Sequence, residues 1–179
     1  MVEYYFDLET YSPREKPDPA TDKIITIQFQ ELSTIDGRPR GDLKILTEWS
    51  LGSEKALLNA FKPLFLGRGD FDFVPIGVNL YGYDLICLLH RLNRHFRLGL
   101  DIDFLRTKPV IDIKPILVIK NRGEFRNYQR HLGKRSGSMV AKWYLDEKYG
   151  RIENYVRDEA HNFIKKYQIL KDRIGRLKL

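Results

Sequence analysis

The chain has 179 residues, 42% of them hydrophobic and 31% charged, with a formal net charge of +7. That length suits one domain, residues 1–179, able to bury roughly 70% of its unfolded surface. No apolar run approaches the roughly 18 residues of a membrane span. A lone cysteine, Cys87, excludes an intrachain disulfide and a zinc–thiolate site, and reads as buried filler. The N-terminus enters strand-like sequence without a basic, apolar, small-residue leader, so the expected location is cytoplasmic.

In chain order, VEYYFDLE (2–9) reads as a first strand and TYSPREKPDPATD (10–22) as a Pro-rich loop. KIITIQFQE (23–31), rich in β-branched residues, is a second strand. The Asp36-Gly37 turn pair leads to a third, LKILTEW (43–49), completing an antiparallel meander. SEKALLNAFKPLF (53–65) has helical spacing with Ser53 as N-cap. FDFVPIGVN (71–79) returns as a buried strand, and YDLICLLHRLNRHF (83–96) follows as a second helix. PVIDIKPIL (109–117) predicts a fifth strand running into another helix. SGSMVAKWYLDEKYG (136–150) predicts a short helix ended by Gly150, and residues 151–177 one long amphipathic helix. Early hairpins with later crossovers predict an α/β fold, a mixed five-stranded sheet with helices on its faces. This is the element order of the ribonuclease-H-like fold.

Three acidic stations stand out. Side chains alternate along a strand, so Tyr5, Asp7 and Glu9 share one face. Two carboxylates held side by side repel unless a cation or proton intervenes, and a hard divalent ion is the natural counterpart. The plainer reading is an edge strand whose acids face water. The second station is GVNLYGYDLICLL, where Asn79 closes a strand and Asp84 opens a helix. Asp84 could serve only the helix dipole, yet the carboxyl edge of a sheet is also where active sites gather. The third is IENYVRDEAHNFIKKYQIL. Its apolar stripe of Ile152, Tyr155, Val156, Ala160, Phe163, Tyr167 and Leu170 includes Glu159, with Asp158 toward the margin. An acid on a core-facing stripe is costly unless paired or metal-bound, or unless it snorkels to the core's edge.

Together the stations resemble the DnaQ-like 3′–5′ exonucleases of the four-carboxylate, tyrosine-type group, and in particular the small stand-alone archaeal type. FDLET matches the first motif, D-x-E followed by Thr. NLYGYD matches the second, Asn-x4-Asp with an aromatic before the acid. YVRDEAHNFIKKY matches the tyrosine version of the third, with one departure. The family pattern is Tyr-x3-Asp, and the residue four after Tyr155 is Glu159. Helix phase and motif phase both favour Glu159 as the fourth carboxylate, and Asp158 is the alternative. His-x4-Asp, the histidine version, is absent near the last helix.

The resemblance implies two Mg²⁺ or Mn²⁺ ions about 3.5–4 Å apart. Asp7, Glu9, Asp84 and Glu159 would hold them, and Tyr155 would orient the attacking water. It further implies that Thr10 contacts the 3′ terminus, that Tyr11 stacks on a base and that Asn79 holds the junction. From Lys114 to Lys142 there are eight Lys or Arg and one acid, interleaved with Phe125, Tyr128 and His131. That pattern suits a single-stranded polyanion, with Arg126, Arg130, Lys134 and Arg135 as candidate contacts; a solvated face is the plainer alternative. The expected activity is hydrolysis of single-stranded DNA to nucleoside 5′-monophosphates. RNA or short oligonucleotides are the alternative substrates, and an inactive nucleic-acid-binding module the alternative function. A homo-oligomer is expected, since neighbouring subunits would help enclose a strand.

Overall fold

The computed structural model describes residues 1–14, 16–67, 69, 71–124 and 139–176. Its centre is a five-stranded sheet of order β3-β2-β1-β4-β5. Strand β1 (Glu3–Tyr11) pairs antiparallel with β2 (Lys23–Leu32), and β2 antiparallel with β3 (Lys44–Thr47). Strand β4 (Val74–Gly77) runs parallel to β1, and β5 (Ile111–Asp112) parallel to β4. The mixed sheet flanked by helices is the expected α/β, ribonuclease-H-like arrangement. A tight hairpin suffices for antiparallel neighbours, whereas each parallel return needs a crossover carrying helices.

Helix α1 (Glu48–Leu51) follows β3 at once. The hydroxyl of Thr47 accepts from the Ser50 N–H and caps it, so β3 stops before Trp49 rather than including it. Helix α2 (Glu54–Leu66) starts where predicted, the Ser53 hydroxyl accepting from the Ala56 N–H. A π-helical segment, Leu80–Asp84, precedes α3 (Leu85–Phe96), so Tyr83 and Asp84 lie outside the regular helix predicted to hold them. The short helix α4 (Ile102–Thr107), capped by the Asp101 carboxylate, was hidden in a polar loop. The fifth strand is only two residues long because α5 (Lys114–Lys120), with Pro115 in its first turn, begins almost immediately.

Helix α6 (Val140–Leu145) is not ended by Gly150. The break falls at 146–148, where Glu147 takes a φ of 54°, and Gly150 lies in the first turn of α7 (Tyr149–Gly175). An exposed first turn tolerates glycine, whereas the left-handed backbone at Glu147 stops a helix whatever its side chain. None of the described helices is long and apolar enough to cross a membrane.

The sheet buries both faces. On one, Phe6, Leu8, Ile24 and Ile27 pack with Leu57, Phe61 and Phe65 of α2 and Leu85, Leu88 and Leu92 of α3. On the other, Tyr5 and Ile76 pack with Ala160, Phe163 and Tyr167 of α7 and Leu117 of α5. Ile25, Val140, Ile152, Tyr155 and Val156 continue that second core. A bulge between Glu9 and Thr10 leaves Ile25 without a partner across the ladder, so it joins the α7 side although Ile24 does not.

Candidate active site

The alternation of β1 sends Tyr5, Asp7 and Glu9 toward α7, and Tyr4, Phe6 and Leu8 toward α2 and α3. Helix α7 crosses this face with Tyr155 and Glu159 one turn apart on its buried stripe. A carboxylate oxygen from each of Asp7, Glu9 and Glu159 lies within 4.8 Å of the others. Asp7 is 8% and Glu159 3% exposed, so the charges cannot be dispersed by bulk water. Like charges gathered under cover need a cation or a proton. An all-oxygen set of this kind fits a hard divalent ion and not a thiophilic one.

Asp158 is exposed and stands away from the cluster. Adjacent helix residues are about 100° apart, so only one of 158 and 159 can face β1. Tyr155 is buried beside the cluster, edge-on to Trp143 at 6.2 Å. Asp84, 6% exposed, sits where the π-helical segment meets α3 and makes no capping hydrogen bond. It is not among the acids gathered within 4.8 Å. Its field nevertheless reaches the same place. The Tyr5 phenol is pushed well above the ordinary tyrosine range by burial, then by the charges of Asp7 and Glu9, with Tyr155 and Asp84 adding to them. The Tyr5 hydroxyl donates to Asp7 Oδ2 at 3.4 Å.

The junction before Asp84 is built on Asn79, with Asp112 and Lys114 as partners that sequence reading did not assign to it. Asn79 adopts a left-handed backbone (φ 63°), and its N–H donates to Asp112 Oδ1 at 2.8 Å. The same carboxylate accepts from the Tyr81 and Lys114 N–H groups. Lys114 Nζ donates to Asn79 Oδ1 at 2.6 Å. A Cβ at Gly82 would come within 2.2 Å of that oxygen, so only glycine fits there. Asn79 thus holds the turn and is itself held by β5 and α5.

Thr10 points to the opposite face from Glu9. Its Oγ1 lies 2.7 Å from the Tyr83 hydroxyl, which donates to Asp22 Oδ2 at 2.7 Å. Since the Tyr83 proton goes to a carboxylate, the Thr10 proton goes to Tyr83, and the outer lone pairs of Thr10 can only accept. Tyr11 packs against Tyr144, ring centroids 5.3 Å apart. Across β1, Gln28 pairs with Asp7 and Thr26 with Glu9, both fully buried, with the Thr26 hydroxyl donating to Gln28 Oε1 at 2.9 Å. Period-2 parity marks Thr26 and Gln28 as sharing a face, but which residues they oppose depends on the register. Arg126, Arg130, Lys134 and Arg135 lie outside the described residues.

A five-stranded mixed sheet with an acidic cluster between its central strand and its longest helix defines a ribonuclease-H-like α/β protein. No family model and no curated protein matches the chain. Solved structures do. A crystal structure of exonuclease I in complex with inhibitor BCBP aligns with a TM-score of 0.63 at 13% identity, over 98% of this chain and 42% of that one. Escherichia coli exonuclease I in complex with a dT13 oligonucleotide aligns with a TM-score of 0.52 at 12% identity, over 67% of this chain and 29% of that one. Exonuclease I in its apo form gives 0.50 at 14% identity, over 70% and 32%. The chain thus spans well under half of the exonuclease I chains it matches, and at these identities the likeness is one of fold.

Proposed function

We propose that the protein is a metal-dependent 3′–5′ exonuclease acting on single-stranded DNA and releasing nucleoside 5′-monophosphates. One observation carries this reading: carboxylates from β1 and α7, far apart in sequence, converge within 4.8 Å on the α7 side of the sheet. The fold likeness to exonuclease I, one structure of which holds dT13, supports it. The motif resemblance supports assignment to the tyrosine-type group of small stand-alone enzymes.

Asp7, Glu9 and Glu159 would hold the Mg²⁺ or Mn²⁺ ions, with Asp84 completing the set at its edge. Bound there, such ions supply a nucleophile at neutral pH and neutralise charge on the leaving 3′ oxygen. The chain's own residues do the rest. The Tyr155 phenol orients the attacking water by hydrogen bonding. Thr10, its proton committed to Tyr83, accepts a hydrogen bond from a terminal 3′ hydroxyl rather than donating one. Burial of Asp7 and Glu159 excludes water that would weaken their hold on a cation.

The test is a degradation ladder on 5′-labelled single- and double-stranded DNA and RNA, with Mg²⁺, Mn²⁺ or EDTA. Stepwise shortening of single-stranded DNA, dependent on metal and absent in Asp7→Asn, is the expected result. Mn²⁺ should also raise the thermal midpoint of the wild-type chain and not of Asp7→Asn. Activity surviving in Asp7→Asn, or equal stabilisation of both proteins, would sink the reading.

A further inference from the structure

Between the exposed flank of α7 and the β2–β3 side of the sheet runs an open groove of about 590 Å³. Leu43, Ala160 and Ile164 give it an apolar floor, and Arg157, His161 and Lys165 line its α7 wall. These last three recur every fourth residue, so they form one stripe with a step of about 6 Å along the helix. All three are exposed, and none makes an ion pair among the described residues. Asp158 is the one acid on the wall.

The α7 lining of the groove starts two residues before Glu159. Arg157 and Ala160 bracket Glu159 within one turn of α7. Gln30 of β2, which also lines the groove, pairs with Tyr5, one step along the ladder's face from the pairing of Gln28 with Asp7. The groove leads from there along α7 toward Gln168.

We propose that this groove is the track for the part of the single strand that lies upstream of the 3′-terminal nucleotide. The proposal rests on the exonuclease reading and adds the path. Spaced cations on one wall suit a phosphate backbone, and an apolar floor suits base faces. An apolar protein helix laid in the same place would leave Arg157 and Lys165 facing it with Asp158 as the one acid on the wall, so the chemistry favours a polyanion. The track also differs from the Lys114–Lys142 stretch, which starts with α5.

Binding should be measured on the cleavage-blocked Asp7→Asn protein, by anisotropy of a fluorescent oligothymidylate longer than the groove, across a salt series. Adding Arg157→Ala and Lys165→Ala should weaken binding roughly tenfold whatever the sequence, and flatten the log–log salt slope by about 1.4, at about 0.7 per contact. Exchanging the charges in kind, Arg157→Lys with Lys165→Arg, should restore most of the slope. For the same changes in the active enzyme, the fold-loss in kcat/KM should grow with strand length. An unchanged slope in the Ala pair, with the parent still binding, overturns the track and leaves the nuclease reading standing; the groove would then suit a protein partner. Failure of the parent itself to bind the strand removes both.

Discussion

The two faces of the sheet both bury carboxylates, and Glu54 on one keeps different company from the acidic cluster on the other. On the α2–α3 face, Glu54 meets cations and donors. It accepts from Arg91 through both Nε and Nη2, from His95 Nε2 at 2.8 Å and from the Ile24 N–H at 2.8 Å. Burial alone would raise its pKa, but these hydrogen bonds outweigh burial and hold it below the ordinary glutamate value. On the α7 face, Asp7, Glu9 and Glu159 meet one another. The first arrangement ties α2, α3 and β2 together and needs nothing from outside. The second gathers like charge that a hard divalent cation would balance, and so points outward to chemistry. A buried acid becomes informative through the sign of its neighbours.

The sharpest way to break this contrast is at α7. Glu159→Gln should lower metal-dependent cleavage by about a thousandfold, the scale of losing a main electrostatic stabiliser, and should leave thermal stability without metal unchanged or higher. Asp158→Asn, on the exposed flank, should stay within a few-fold of wild type. Rates and melting curves for the two variants decide it. An inactive Asp158→Asn beside an active Glu159→Gln would mean that the register of the third motif is off by one residue.

The other face should respond in stability and not in chemistry. Arg91→Ala leaves a buried carboxylate without its guanidinium, and should cost about 3–5 kcal/mol in urea unfolding. The residual activity of the folded fraction should keep its metal dependence. The pH dependence follows from the depressed pKa of Glu54. Its stabilisation is full above the unfolded glutamate value of about 4.3, and is lost as pH falls through the lower folded value. Glu54→Gln should therefore show a shallower acid limb of stability than wild type. An identical acid limb would show that the ion cluster contributes nothing at low pH.

The smallest effect is expected at Tyr83, which links Thr10 to Asp22. Tyr83→Phe removes the donor to buried Asp22 and the acceptor for Thr10, at a cost of about 1–3 kcal/mol. Thr10 regains a free proton, so KM for strands ending in a 3′ hydroxyl should rise more than kcat falls. Equal KM values in the two proteins would mean that the Thr10 proton has no bearing on the terminus.

Several of these features could be read before any fold was known, because they are local. Alternation along β1 already places Asp7 and Glu9 side by side. Helix phase already places Glu159, rather than Asp158, on the stripe with Tyr155 and Phe163. Element order already gave the mixed sheet, since a Pro-rich loop, a turn pair and an N-cap punctuate the chain where strands and helices change. The errors were local too. Thr47 and Asp101 act as caps where side chains of their type also suit strands and loops, and a π-helical turn carries the same residues as a helix start.

What only the tertiary structure decided are the pairings across long stretches of chain. Periodicity says which way a side chain points and not what it meets there. Glu54 and Arg91 are 37 residues apart, and Asn79 and Asp112 are 33 apart. Glu54 reads in sequence as an ordinary first-turn acid, yet it meets Arg91 and His95. Asp7 and Glu9 read as a pair, but Glu159 joins them only because α7 crosses β1 at that level, and the groove along Arg157 exists only because the β2–β3 side leaves that flank of α7 uncovered. A sequence specifies each element's faces through short-range sterics and burial; the closing of distant faces on one another is settled by packing of the whole core, and that is where the site's charge balance is set.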